Sequence, residues 1–200
     1  MTETKRRMQN PMSSQALAYA IATRRFRDLP VESVRAATWC LVDTLAAVYA
    51  AVEEFPIRQL RQFWRDDGMR SAGPCRLVGT GERVPGAIAA LVHSAMAQSL
   101  EMDDFHKRSI VHIGSTVIPP ALAAAERHGR SGRDLLTAIA VGYEAGIRVG
   151  EAVNPAHHRI WHSTGTCGTF GAAAAVGRLL GLSPVAMNNA LGRPGRRRRV

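Results

Sequence analysis

Along most of the chain the apolar residues recur with a helical period, and breaks in that period mark the ends of the predicted elements. Leu17, Ala20 and Ile21, with Arg24, follow Ser13 and Ser14, either of which can cap a first turn, so a first helix is expected over 13–26. Pro30 opens a second, in which Val34, Ala37, Thr38, Leu41, Val42, Leu45 and Val48 make a broad apolar stripe expected to be buried; Glu53, Glu54 and Pro56 close it. A shorter helix over 56–64 is stopped by Asp66, Asp67 and Gly68, and 75–78, before Gly79-Thr80-Gly81, reads as a short strand or extended link.

From 85 to 100, Ile88, Leu91, Val92, Ala95, Met96 and Ser99 recur at helical spacing and predict a core helix. It delivers Glu101, Asp103 and Asp104 at its C-terminal end, where carboxylates oppose the helix dipole, so something outside that helix should hold them. Pro119 and Pro120 are read as the start of the next helix, Gly129 as its stop, and Ser131 with Asp134 as the capping box of another. That helix carries Leu135, Leu136, Ile139, Val141, Tyr143, Ile147 and Val149, with Gly142, Gly146 and Gly150 spaced by four as a smooth groove for a neighbour. Asn154 and Pro155 end it, and a last long helix is expected over 165–180.

Composition sharpens this into a fold class. Apolar residues make up 46% of the 200 positions and aromatic residues only 6%, which with abundant Ala favours closely packed helices over a sheet. The expectation is an all-α fold: an Ala/Gly-rich multi-helix bundle with at most one short extended segment. The length suits one domain, read as a basic arm over 1–12, a helical domain over 13–192 and an Arg-rich tail over 193–200 that has little apolar surface to bury and is expected to be disordered.

The net charge of +10 changes the picture less than its size suggests. Five of the positive charges, Arg193, Arg196, Arg197, Arg198 and Arg199, lie in that tail, and without them the sum falls to +5. Lys5, Arg6 and Arg7 add to the other end. With no groove-reading element or interleaved aromatics, specific nucleic-acid binding is not expected. Cys40, Cys75 and Cys167 are far apart and form no CxxC pair, which fits a reducing cytoplasm. No apolar stretch has the length of a membrane span; the longest, 36–52, is interrupted by Asp43.

Two constellations carry candidate chemistry. Glu101, Asp103, Asp104 and His106, followed by His112, put three carboxylates and two imidazoles within twelve residues, enough for proton abstraction and return. Crowded carboxylates raise one another's pKa toward the useful range; a solvated charged loop is the plain alternative. The second runs from Trp161 to Gly168, where His162 and Thr164 precede a helix start suited to a substrate carboxylate, or simply to an N-cap. His158 and His162 are four apart and would suit a metal, with Glu101 or Asp104, only if helical; no stringent spacing supports this, and neither a metal nor a cofactor is assigned. Gly165, Gly168 and Gly171 lack the strand and acidic residue of a dinucleotide site.

These residues, with Leu41 to Ala46, Gly79-Thr80-Gly81, Ala89 to Val92, Leu100 to Asp104, Pro119 to Glu126, Gly142-Tyr143-Glu144, His162 to Thr166 and Leu179 to Leu182, resemble the MmgE/PrpD family in order and spacing. That family includes 2-methylcitrate dehydratase and cis-aconitate decarboxylase. The resemblance implies a cofactor-free lyase that eliminates water from a small polycarboxylate, or decarboxylates it, with His162, His112, Glu101 and Asp104 catalytic and Asp103, His106 and Thr164 on the substrate. It also implies a homodimer at full length and a second, α/β domain supplying lysines, so the chain is expected to be a truncated or frame-shifted piece with little activity, for which Arg108 and Arg148 are the cations at hand. A catalytically silent scaffold of the same fold is the alternative. Phe105, Gln98, Ile113 and Ser163 stand where the family often has Thr, His, Pro and Pro.

Overall fold

The computed structural model describes residues 14–66 and 73–192. The arm over 1–12, the tail over 193–200 and the expected roles of Ser13, Asp67 and Gly68 lie outside the described residues. Within them the chain forms α1 (Ser14–Thr23), α2 (Val31–Ala50), α3 (Phe55–Asp66), α4 (Gly86–Ser99), α5 (Gly114–Arg127), α6 (Gly132–Val153), α7 (Ser163–Leu179) and α8 (Pro184–Gly192). Short 3-10 turns occupy Phe26–Asp28 and His157–Arg159. The all-α expectation holds. The extended segment is one arm of a small antiparallel hairpin, β1 (Cys75–Arg76) with β2 (Arg83–Val84), in which Cys75 faces Val84. Glu82, in its turn, is held by Arg61 at 2.6 Å and Arg65 at 2.5 Å, both on α3.

The centre of the bundle is the meeting of α5, α6 and α7. Gly142 and Gly171 face each other there, and a Cβ on Gly142 would come within 2.7 Å of Val117 Cγ1, 2.9 Å of Ala175 Cβ and 3.0 Å of the Gly171 carbonyl. The groove predicted from the four-spaced glycines therefore exists, and its first two steps face α7, but it seats more than a helix. The second seats Ile113 and the third seats Ser109, both in the loop that leads into α5. Around this seam Val111, Ile113, Val117, Ile118, Ile139 and Leu179 form the main core.

Four expectations need correction. Helix α5 begins at Gly114, so Pro119 and Pro120 lie inside it; its first turn is held by tertiary partners, described below, that a local reading does not show. The α2 stripe is only partly buried: Ala37, Thr44, Ala47 and Val48 face the core, whereas Thr38 is exposed and Val42 is 50% exposed. Helix α2 packs on one side only, against α4, α5 and α6, leaving Trp39, Val42 and Tyr49 outward. On α4 the buried face is Ala89, Val92, His93, Met96 and Ala97, and Leu91, on the opposite side, is 54% exposed. Helix α8 was not anticipated. Ser183 Oγ accepts from the Ala186 N–H and Pro184 takes the first helical position, but only Met187 and Leu191 are buried, against Ala18 and Ile21 of α1, too few for a periodic signal.

Gly142→Ala is expected to lower stability by about 1–3 kcal/mol, since the added methyl overlaps three neighbours. Gly132→Ala, where a Cβ meets nothing within 4 Å, should change it by less than about 1 kcal/mol, in the stabilising direction. Urea midpoints of the two variants decide this; equal losses would mean that the seam is not the tight contact it is taken for.

A pH effect follows from His93. Its side chain is 2% exposed, its Nε2 accepts from the Val78 N–H at 2.9 Å, and burial lowers its pKa despite an opposing pull from Glu126. The unfolded chain, with His93 near 6.5, then binds protons more readily than the folded one. Stability is full above that value and falls as pH drops below it toward the depressed folded pKa. His93→Gln keeps an acceptor for Val78 and cannot be protonated, so its urea midpoint should fall less between neutral and mildly acidic pH. Parallel pH profiles would remove His93 from the explanation.

Candidate active site

Helix α4 stops at Ser99, and Glu101 adopts a left-handed backbone conformation, φ 52°, that reverses the chain. The reversal leaves Glu101 and Met102 in solvent and carries Asp103 and Asp104 inward. Asp104 Oδ1 accepts the Gly114 N–H at 2.7 Å. A carboxylate that opposed the C-terminus of α4 thus sits at the N-terminus of α5, where the helix dipole favours it. This is the outside hold that the sequence called for, and it explains why α5 starts before its prolines. Glycine is required at 114: a Cβ there would lie 2.6 Å from Asp104 Oδ1, 2.7 Å from Thr44 Oγ1 and 3.0 Å from the Tyr143 hydroxyl.

Those contacts define a buried polar cluster. Burial raises the Asp104 pKa, with Asp103 and Asp43 adding to the shift, while the Gly114 N–H and the Tyr143 hydroxyl pull it back. Tyr143 is pushed above its ordinary value by burial and by facing Asp104 and Cys40. The Cys40 thiol is raised by burial and by Asp104. Thr44 Oγ1 and the Tyr143 hydroxyl are withdrawn from water without a well-formed hydrogen bond.

Asp103 is the deeper carboxylate, its side chain 0% exposed. Its Oδ1 lies 3.3 Å from His112 Nδ1, the closest approach between the acidic segment and an imidazole, although the angle falls short of a hydrogen bond. The other side of His112 is flanked by Phe105, ring centroids 4.9 Å apart. The His112 backbone N–H donates to Thr164 Oγ1 at 3.0 Å, which ties the loop to the first turn of α7. Thr164 is buried and its oxygen is engaged by the protein itself.

The structure therefore brings together four of the residues singled out in the sequence: Asp103, Asp104, His112 and Thr164. The other three form no hydrogen bond or ion pair with those four side chains among the described residues. Glu101 is exposed; His106 turns its Nδ1 to Ser109 Oγ, 2.9 Å away in its own loop; His162 caps α7, its Nδ1 accepting the Gly165 N–H at 3.3 Å. His158 is in a 3-10 turn with Nδ1 3.3 Å from Ser163 Oγ, so the helical geometry required for a His158–His162 metal pair does not arise. No group of three metal-binding side chains occurs among the described residues. Arg108 and Arg148 are each committed to a carboxylate of α6, Arg108 to Glu151 at 2.5 Å and Arg148 to Glu144.

Sequence reasoning missed Tyr143, Thr44 and Cys40. Tyr143 reads as a core residue by its spacing; the signal for more is a polar ring beside the glycines of α6. Two concave surfaces, one lined by Arg58, Arg61 and Arg65 and one by Arg76, Glu126 and Arg130, contain none of the cluster. No helix among the described residues is long and apolar enough to cross a membrane.

Comparison with known proteins agrees with the resemblance. A family model for the MmgE/PrpD N-terminal domain matches residues 15–196. Cis-aconitate decarboxylase of Aspergillus terreus is 31% identical over 178 residues, 82% of this chain and 35% of its own length. A cis-aconitate decarboxylase-like protein of Aspergillus oryzae is 37% identical over 135 residues, 63% of this chain and 28% of its own. Human cis-aconitate decarboxylase is 34% identical over 116 residues, 54% and 24% respectively. The chain spans about a third or less of the length of these curated relatives.

The raised pKa of Asp104 has a stability consequence. A carboxyl whose folded pKa exceeds its unfolded value contributes most when protonated, and that contribution is lost as pH rises through the folded pKa. Asp104→Asn, which keeps an oxygen for the Gly114 N–H, is therefore expected to be more stable than the natural chain at neutral pH and to lose that advantage on acidification. Chemical denaturation at two pH values measures it, and an Asn chain less stable at neutral pH would overturn the claim.

Proposed function

The chain belongs to the MmgE/PrpD family, and from that premise we propose that it is the helical, proton-handling part of a lyase acting on a small polycarboxylate. The observation that carries the reading is the buried cluster of Asp103, Asp104 and His112 at the start of α5, tied through Thr164 to the turn that bears His162. Polar side chains withdrawn from water without full pairing cost stability. Proton transfer is a function that warrants such an arrangement.

Decarboxylation is the first reading, because the relatives bear that name. The bond from carbon to one carboxylate breaks, carbon dioxide leaves, the electron pair stays on the carbon, and an imidazole delivers a proton there. Elimination of water, as in 2-methylcitrate dehydratase, is the second: a base takes the proton beside a carboxylate, the pair forms the double bond, and hydroxide leaves with a proton from another group. The same two histidines serve either course, with Glu101 and His106 at the rim to contact the substrate. A silent scaffold is the competing reading, and it expects no ligand response at either histidine.

A polycarboxylate brings several negative charges to a loop that already holds Asp103 and Asp104, while Arg108 and Arg148 are occupied by glutamates. In the resembled family a second domain supplies the opposing lysines and closes the site. A site left open to water weakens every preorganised charge. The 200-residue chain is thus expected to turn over cis-aconitate or 2-methylcitrate at least about 10²- to 10³-fold more slowly than a full-length relative. Carbon dioxide release and the ultraviolet absorbance of the unsaturated acid measure this. Cis-aconitate added to the isotope-labelled chain should nevertheless shift the ring signals of His112 and His162 and leave those of His93 and His128 unmoved. If His112 and His162 do not respond to millimolar ligand, the site assignment fails; turnover matching a full-length relative would show that the helical part needs no second domain.

A further inference from the structure

The two histidines of the proposed site meet opposite partners at the same ring atom. Nδ1 of His162 faces the Gly165 N–H at 3.3 Å, a group that only donates, so that nitrogen accepts and the neutral ring carries its proton on Nε2. Nδ1 of His112 is buried and faces a carboxylate oxygen of Asp103 at 3.3 Å. An ionised carboxylate only accepts. The ring that satisfies it carries its proton on Nδ1 and leaves the Nε2 lone pair for the substrate.

Among the described residues no other ion pair or hydrogen bond engages Asp103. Asp104, next in the chain, is turned to the Gly114 N–H and the Tyr143 hydroxyl. Neither oxygen of Asp103 has a well-formed hydrogen bond, and among the described residues His112 Nδ1 is the cationic or imidazole nitrogen that comes within ion-pair distance of it. Phe105 flanks the imidazole and the Thr164 bond holds its backbone, which restricts rotation of the ring away from Asp103. The flipped tautomer would set a lone pair against a buried carboxylate.

We propose that Asp103 is a positioning residue which, opposite in sense to the Gly165 N–H, locks His112 and His162 in opposite tautomers, so that Nε2 of His112 accepts a proton and Nε2–H of His162 donates one. The assignment of roles rests on the proposed function; the tautomers themselves do not. It also gives two adjacent carboxylates different work: Asp104 builds the start of α5, and Asp103 acts through His112.

The test is nitrogen NMR of the histidine rings in the full chain, followed upward in pH until the ring signals are those of neutral imidazole. His112→Gln and His162→Gln provide the assignments. The expected result is a proton on Nδ1 of His112 and on Nε2 of His162. Asp103→Leu, close in size and without an acceptor, should move His112 toward the Nε2–H form that a free imidazole favours while His162 stays as it was. A purely structural role for Asp103 would leave the His112 tautomer unchanged in that variant. The proposal is overturned if the natural chain shows both rings in the same tautomer, or if His112 keeps Nδ1–H without Asp103. Should Asp103→Leu not fold, the natural chain's own tautomers still decide. The readout needs no turnover, so a chain silent toward polycarboxylates would sink the proposed function and leave this result standing.

Discussion

At the centre of this bundle two helix backbones approach each other closely. Where α6 and α7 cross, a Cβ on Gly171 would stand 2.8 Å from the Gly142 carbonyl, so neither position accepts a side chain. Each interior glycine costs about 1 kcal/mol of helix propensity relative to alanine, and close packing of Val117 and Ala175 into the space offsets it. The site depends on the same row. Gly146 receives Ile113 and Gly150 receives Ser109, so the glycines that let two helices meet also seat the loop ahead of α5. Seating Ile113 places the Gly114 N–H, and the Gly114 N–H places Asp104.

What this geometry gathers is not stabilising in itself. Asp104 is raised by burial, Tyr143 more so, and Asp103 and Thr44 have oxygens out of water without good hydrogen bonds. A domain that answered only to stability would fill such a place with apolar side chains, which are often neutral or better than buried ionisable groups. Here the large apolar contacts lie to either side. Ile113, Val117 and Ile139 hold α5 to α6, while Val92, Met96 and Leu77 hold α4 to the hairpin. The polar cluster sits where those two cores adjoin. Stability carried on both flanks lets the place between them keep costly chemistry.

The parts legible in the sequence are those with local causes. The Ser131–Asp134 capping box, the left-handed stop at Gly129 and the helix carrying Gly142, Gly146 and Gly150 depend on residues within a few positions of each other, and they formed as read. The start of α5 could not be read that way, because its cap is Asp104, ten residues back, and its loop is tied to Thr164, fifty-two residues on. The Pro119-Pro120 pair gave a local start signal that those distant partners overrode. For the same reason Asp103, Asp104 and His112 could be named from their types and nearness, whereas Tyr143 and Thr44 reach the cluster only through packing of α6 and α2. Glu101 and His162 were also named from residue type and from the family pattern; Glu101 is exposed, and His162 caps α7.

The two helix N-termini at the site show how its electrostatics are divided. Each offers unpaired N–H groups and a positive dipole end, the features that suit a bound anion. At α5 the Gly114 N–H is taken by the protein's own Asp104, and at α7 the Gly165 N–H is taken by the His162 ring. Arg108 and Arg148 are paired with glutamates of α6. At these two helix starts the positive end thus holds an acid and an imidazole of the chain itself.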